Sequence, residues 1–238
     1  MTTFAFAVLL MLAQRLDVPA PPAAPVLVVT GNAQILAVPD EATVRLGIVR
    51  QSSNAQAAQE QANAVAQEIL SAIGKVGVPA NQIQTARLVL SPVYAQRGPE
   101  ARDAPRIVAY NAANTVSVRL DNLTIVGAVI DAGLKAGANQ LEGVQFGLRN
   151  DLPPREQALK QAVQEARSKA QAMADALRLN LNEVLEVVEG GVSIVRPEMA
   201  IDRRTMAMAA DLNTPVSPGQ IEVHASVSVR YRISPKPQ

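Results

Sequence analysis

The chain has 238 residues and no cysteine, and its 22 Lys and Arg nearly balance its 21 Asp and Glu. The basic residues are spread along the sequence, so the basic patch of a nucleic-acid-binding protein is missing and we expect no nucleic acid partner. The absence of cysteine excludes disulfides, thiolate zinc sites and cysteine nucleophiles. Because 48% of the residues are hydrophobic but only 3% are aromatic, the core must consist of Val, Leu, Ile and Ala.

The first 25 residues read as a signal peptide and a linker. Residues 4–13 (FAFAVLLMLA) form an apolar run of the length found in secretory signals, and residues 18–25 (VPAPPAAP) predict an extended Pro/Ala linker. The run is too short for an ordinary transmembrane helix, so we expect no transmembrane span in the mature chain. We therefore predict export to the periplasm or outer membrane, and one domain over residues 26–234.

The first part of this domain predicts strands on both sides of a long helix. Residues 26–50 indicate a β-hairpin that turns at VPDEA (residues 38–42). The helix begins with a capping spacing from Ser53 to Gln56 and ends at Gly74 and Gly77. The next two strands, residues 82–96 and 106–120, flank a polar loop, RGPEARDAP (residues 97–105).

The second part predicts two more helices and three more strands. Asn122 caps a helix that ends at Gly137, and the strand LEGVQFGLR follows. A third helix begins at Pro153 and Pro154. The strands NEVLEVVEGGVSIV and IEVHASVSVRYRI close the domain, and the alternation of the last one predicts one core face and one face toward water or a partner. The predicted apolar face of the third helix consists of Leu159, Ala162, Val163, Ala166, Ala170, Met173 and Leu177.

Two helix ends in this sequence are similar to each other. KVGVPANQIQ (residues 75–84) and KAGANQLEG (residues 135–143) both lead from a helix end through Gly and Asn-Gln into a strand. This similarity indicates two related strand–helix–strand halves. Together the patterns predict an α+β fold in which an antiparallel β-sheet is packed by long Ala-rich helices.

The sequence offers little reaction chemistry. The only histidine, His224, lies on the polar face of a predicted strand, where a surface or packing role is favoured over catalysis. Motifs for zinc, calcium, nucleotide phosphate or a dinucleotide are missing. Asp40 and Glu41 are best explained as turn residues, and Asn122 of the NLT sequon as a helix cap. We therefore expect no catalytic residue, no cofactor and no metal site.

The longest connection, EMAIDRRTMAMAADLNTPVSPG (residues 198–219), holds three of the six methionines. Three interpretations are open: the methionines consume oxidants reversibly, they are soft contacts of an arm that grips another subunit, or the segment is only a connector. A connection of this length inside a compact domain is more often functional or mobile than idle. Our hypothesis is an oligomer-contact arm, hereafter the arm, carried by Met199, Arg203, Arg204, Met206 and Met208.

Several stretches together resemble the SIMPL-domain family. They include, in order, VPDEA, QIQT (residues 82–85), GANQLEGVQF (residues 137–146) and TPVSPG (residues 214–219), and the resemblance spans about Val26 to Ile233. The family includes bacterial periplasmic oxidative-stress defence proteins and an outer-membrane immunogenic protein. The resemblance implies an α+β fold, export, a link to oxidative-stress resistance and, in at least one member, assembly into a large hollow oligomer. It implies no established catalytic residue.

These observations lead to one expected function and one alternative. We expect an exported, non-enzymatic protein of the cell envelope, associated with oxidative-stress defence, that acts as a homo-oligomer or through an envelope protein partner. The alternative is a small-molecule-binding periplasmic module in which the 97–105 loop and the arm enclose the ligand.

Overall fold

A computed structural model describes residues 25–95, 104–196, 198–199, 214 and 216–237. The predicted signal peptide therefore lies outside the described residues, as does most of the 97–105 loop. The α+β class is confirmed, because the described residues form three α-helices and eight β-strands. The helices are α1 (Ala55–Lys75), α2 (Val126–Lys135) and α3 (Leu152–Ala176). The strands are β1 (Val26–Ala37), β2 (Glu41–Ser52), β3 (Ile83–Tyr94), β4 (Ile107–Leu120), β5 (Gln140–Gly147), β6 (Leu179–Val195), β7 (Glu198–Met199) and β8 (Ile221–Pro235).

The strands form two separate antiparallel sheets. The large sheet has the order β3-β4-β2-β5-β7, and the small sheet has the order β1-β8-β6. In the large sheet, β2-α1-β3 and β4-α2-β5 are two successive strand–helix–strand units whose four long strands have the order of a ferredoxin-like split βαβ fold. Two strand–helix–strand units are therefore present, and that the two are related stays a prediction.

The core of the large sheet lies between its strands and the helices α1 and α2. Alternate residues of β2 point into it, and Ala42, Val44, Leu46 and Ile48 are fully buried. Small and branched side chains from both helices cover them. The fully buried ones are Ala58, Ala62, Ile69, Ile73, Val126, Val129 and Ile130.

The residues at the helix ends are close to those predicted from the sequence, and one predicted cap is displaced by one residue. The chain passes both helix ends in the left-handed region, at Gly77 (φ 98°) and Gly137 (φ 103°), as the similar sequences suggested. Asn122 accepts a hydrogen bond from the Thr124 N–H (3.0 Å) and so caps the short 3-10 turn Leu123–Ile125 that leads into α2, whereas α2 itself has no side-chain cap. The cap of α1 is Asn54, whose side chain accepts from the Ala57 N–H (3.1 Å). The prediction of Ser53 was wrong by one residue because β2 continues through Ser52.

The predicted hairpin of β1 and β2 is wrong. β1 pairs along its whole length with β8, from Val26 opposite Arg232 to Ala37 opposite Ile221, whereas β2 joins the large sheet. The turn between β1 and β2 instead forms hydrogen bonds with residues at the end of β5. There the Asp40 N–H donates to the Gly147 carbonyl (3.1 Å), and the Asp40 carboxylate accepts from the Arg149 N–H (2.7 Å). Turn chemistry is therefore confirmed for Asp40, but it does not reveal whether the flanking strands pair.

Helix α3 packs on the small sheet through a stripe of alanines, hereafter the alanine stripe. These residues, one every four positions, are almost completely buried: Ala158, Ala162, Ala166, Ala170 and Ala174. Ala162 and Ala166 sit so close to Gly31 of β1 that a Cβ atom at that glycine would overlap the Ala162 carbonyl and lie 2.8 Å from the Ala166 Cβ. The predicted face was therefore too wide. The larger side chains at its margins, Val163, Met173 and Leu177, are 42%, 45% and 61% exposed, because this approach leaves no room for them.

Three carboxylates on or next to α3 accept hydrogen bonds that lower their pKa values. A hydrogen bond from Arg155 (2.8 Å) lowers the pKa of Asp151. The pKa of Glu165 is lowered chiefly by the backbone N–H of Asn32 in β1, and also by Lys169 (3.0 Å). Gln171 and Lys236 lower the pKa of Asp175. Glu165 and Asp175 thereby connect the helix to β1 and to the residues after β8.

Substituting Gly31 tests the close approach of α3. We expect Gly31→Ala to lower the free energy of unfolding by about 3 kcal/mol, because the overlapping atoms are backbone and cannot move independently. Gly74→Ala is the matched control, since a Cβ there meets nothing within 4 Å, and a helical alanine is favoured by up to about 1 kcal/mol. Denaturant unfolding of both variants measures the difference. Equal midpoints would contradict the packing described.

Acid is expected to loosen α3. A carboxylate whose pKa is lowered by folding contributes stability above its unfolded pKa and loses that contribution as the pH falls through its folded pKa. We therefore expect the thermal midpoint to fall between about pH 5 and pH 2, and Glu165→Gln to reduce the size of that fall. Glu156→Gln, on the same helix with a wider pair to Lys160 (3.8 Å), is the control. An identical pH profile for both variants would rule out the role given to Glu165.

Candidate functional site

The arm begins at the edge of the large sheet. Its first residues form β7, in which Glu198 lies opposite Gln145 and Met199 lies opposite Val144 of β5. The other four predicted contact residues, Arg203, Arg204, Met206 and Met208, lie outside the described residues. The structure thus gives the place where the arm starts, and the contact role of its side chains stays a prediction.

The end of the arm is fixed to helix α2. The Thr214 hydroxyl donates to Oδ1 of Asp131 (2.6 Å), and the Thr214 N–H donates to Oδ2 (3.3 Å). The Thr214 carbonyl approaches Gly127 so closely that a Cβ there would lie 2.5 Å from its oxygen. Val216 packs against the core of the large sheet. The TPVSPG motif therefore holds the end of the arm against α2. This contact of Asp131 and Gly127 was not predicted from the sequence.

Removing the Asp131 carboxylate should free this end of the arm. We expect Asp131→Ala to raise amide hydrogen exchange at Thr214, Val216 and Ser217 about tenfold or more, because two hydrogen bonds to a charged acceptor are lost. Asp175→Ala, which removes an equally hydrogen-bonded carboxylate from α3, should leave this segment unchanged. Mass-spectrometric hydrogen exchange measures both variants, and unchanged exchange in Asp131→Ala would disprove the anchoring role.

An exposed apolar surface lies at the opposite edge of the large sheet. Leu88, Leu90 and Tyr94 share one face of β3, with Ile107 of β4 opposite Tyr94. They are 57%, 44%, 51% and 42% exposed. The face is the one that α1 covers elsewhere, but α1 packs chiefly on β2 and β4 and leaves this part of the hairpin bare. We call these four residues the hairpin patch.

A polar cleft opens on the face of the small sheet that points away from α3. It is an open depression with a volume of about 370 Å³, a size within the range of small-molecule sites. The cleft lies where the pairing of β6 and β8 shifts between Glu189 and Gly191. Its lining residues are Asn32, Ala33, Gly190, Gly191, Val192, Ser193, His224, Ala225 and Ser226.

His224 is the ionisable group of this cleft. Its Nε2 lies 3.1 Å from Oε2 of Glu222, two residues earlier on the same face of β8. Both side chains are partly exposed, at 41% and 44%, which confirms the predicted position on the polar face of a strand. The cleft itself was not predicted. Its signal in the sequence was the Gly190-Gly191 pair, because glycine inside a strand often marks a bulge.

Two further properties concern the part of the chain that the structure describes. Within it, no group of three or more His, Asp or Glu side chains is arranged to hold a metal ion. None of its helices has both the length and the apolar character needed to cross a membrane.

The fold and these surfaces define a class of protein: an α+β protein with a ferredoxin-like large sheet, a separate helix-backed small sheet and a long arm anchored at both ends. A comparison with protein families matches residues 27–231 to SIMPL, described as "Protein of unknown function (DUF541)". The chain belongs to the SIMPL family, and the resemblance inferred from its motifs is confirmed.

Individual relatives agree with this assignment. The 26 kDa periplasmic immunogenic protein of Brucella melitensis biotype 1 is 30% identical over 218 residues, which cover 87% of this chain and 84% of the relative. The uncharacterized protein YggE of Escherichia coli K12 is 29% identical over 167 residues, or 70% of this chain and 66% of the relative. YggE of Edwardsiella ictaluri is 26% identical over 166 residues, or 70% and 68%.

Proposed function

We propose that the chain is an exported, non-enzymatic protein of the cell envelope that contributes to oxidative-stress defence through self-assembly or contact with an envelope protein. The signal-like residues 1–25 support export, as does the periplasmic name of the Brucella relative, which aligns with 87% of this chain. The link to oxidative stress is supported by the family resemblance. The uncharacterized and immunogenic-protein names of the relatives, none of which names a reaction, agree with a non-enzymatic role.

The observation that carries the assembly proposal is the hairpin patch. A cluster of large apolar side chains on the surface is typical of a protein–protein contact, since it gains free energy when covered. The patch belongs to β3, at one edge of the large sheet, and the arm starts beside β5, at the other edge. Two different surfaces at opposite edges suit a head-to-tail contact, which forms a ring when the rotation between subunits closes.

The arm supplies the second half of this contact in the proposal. Met206 and Met208 pack on the hairpin patch of the next subunit, because methionine side chains adapt to irregular apolar surfaces. Arg203 and Arg204 then lie at the polar margin of the contact. The anchors at β7 and Thr214 restrict where the arm can reach, which lowers the entropy lost on assembly.

The solution mass of residues 26–238 tests this proposal. We expect light scattering across a concentration series to give a large discrete mass for the unchanged protein. Leu88→Glu combined with Leu90→Glu should shift it to the monomer, because charges buried in a contact are costly. Met206→Ser combined with Met208→Ser should weaken assembly without shortening the arm.

The control is Ser91→Glu, which places one charge on the other face of the same strand. It should assemble normally. A monomer at every concentration for the unchanged protein would remove the self-assembly proposal, and full assembly of the Leu88/Leu90 variant would exclude the hairpin patch. Peroxide survival of a deletion strain, restored by the unchanged protein and not by the assembly-deficient variant, would connect assembly to stress defence.

A second candidate function, a small-molecule-binding periplasmic module, is favoured by the cleft at His224. Its position differs from the site expected from the sequence. The cleft lies on the small sheet between β1, β8 and β6, whereas the expected site combined the 97–105 loop with the arm.

A further inference from the structure

We propose that the cleft at His224 binds a neutral, hydroxyl-rich molecule of the size of a monosaccharide or disaccharide. This inference rests on the second candidate function and deepens it. It does not depend on self-assembly, because the hairpin patch and the two described ends of the arm lie on the large sheet and its helix α2, whereas the cleft lies on the small sheet.

The shape of the cleft is produced by two glycines in β6. Gly191 has a φ of 109°, and a Cβ there would meet nothing within 4 Å, so its backbone faces open space. A Cβ at Gly190 would lie 3.1 Å from both the Cβ and the Oγ of Ser226. A side chain at Gly190 would thus press on Ser226, whereas the space beside Gly191, which is itself paired with Ser226, is empty. A ligand in this opening reaches backbone groups that side chains usually cover.

Three strands bring hydrogen-bonding side chains into the opening. Asn32 of β1 lies opposite Ser226 of β8, and Ser193 of β6 lies opposite His224 of β8. Among the described residues, the only side-chain hydrogen bond of these four links His224 to Glu222. The Asn32 amide and the hydroxyls of Ser193 and Ser226 therefore keep both donors and acceptors for a ligand.

The charges around the cleft select against other ligand classes. Neither Lys nor Arg is among its lining residues, and the Glu222 carboxylate beside His224 repels an anion. The nearby arginine on the same face, Arg230, already pairs with Glu186 (3.3 Å). An apolar ligand would leave the amide and the hydroxyls without partners, which is costly on burial. A molecule with several hydroxyl groups satisfies donors and acceptors together and brings no charge.

Ligand binding to the cleft can be followed through the NMR signal of His224, because it is the only histidine of the chain. Its imidazole gives a single Hε1–Cε1 NMR signal, which can be followed with the amide signals of Gly190, Gly191 and Ser226 at constant pH. The probes are glucose, N-acetylglucosamine, maltose and glycerol, with inorganic phosphate and spermidine as charged comparisons. We expect at least one neutral probe to shift these signals in a saturable way.

Matched variants locate the binding. Asn32→Ala combined with Ser193→Ala should weaken binding of that probe about tenfold or more, because two hydrogen-bonding side chains are removed. Ser228→Ala, on the same face of β8 but outside the lining, should bind as the unchanged protein does. Ser193→Ala alone, expected to give a smaller loss, keeps the test valid if the double variant does not fold.

Specific outcomes overturn the proposal. No saturable shift with any neutral probe, or a shift with phosphate or spermidine alone, excludes a neutral hydroxyl-rich ligand. Equal weakening by Ser228→Ala and by the cleft variants moves the binding elsewhere. Light scattering of the same samples separates this result from the assembly proposal, since loss of sugar binding leaves the assembly mass unchanged.

Discussion

The close packing of the alanine stripe of α3 on the small sheet is the contact on which the rest of the structure depends. A sheet of three strands has a stable core only if one face is covered, and among the described helices it is α3 that covers it. Gly31 and the small alanine side chains allow the helix backbone to approach β1 and β8 directly. The cleft at His224 opens on the other face of the sheet, on which no described helix packs.

The core of the large sheet is covered by two helices rather than one. This difference explains the positions of the hairpin patch and of the ends of the arm. Two helices cover its central strands, and its core contains larger side chains such as Leu46, Ile48 and Phe146. The helices do not reach the end of the β3–β4 hairpin, so apolar residues there stay exposed. The Asp131–Thr214 hydrogen bonds and β7 attach both ends of the arm to this sheet, although the chain before and after it belongs to the small sheet.

Much of the fold could be predicted from the sequence, because periodicity and glycine positions are local signals. The three helices, the β3–β4 pair and the buried face of β8 follow the patterns read for them. The partner of β1 could not be predicted, since Asp40 makes the same turn whether or not the strands around it pair. The exposed Val163 and Met173 show a similar limit: the pattern of α3 is apolar, but only the distance to Gly31 decides which residues fit. For the candidate sites, the length of the arm marked it in the sequence, and its contact role stays a prediction. The cleft required knowing that the bulge at Gly190-Gly191 faces Asn32 across β8.

The position of β8 has a consequence for the order in which the molecule forms during synthesis. The central strand of the small sheet is the last strand of the chain, and both β1 and β6 hydrogen-bond to it rather than to each other. Val26 of β1, for example, can pair with Arg232 of β8 only after β8 has been synthesised. Until the ribosome has made β8, α3 has no complete sheet to pack on and its alanines cannot be buried. The small sheet therefore stays incomplete until β8 has been made, and α3 packs on it only after that.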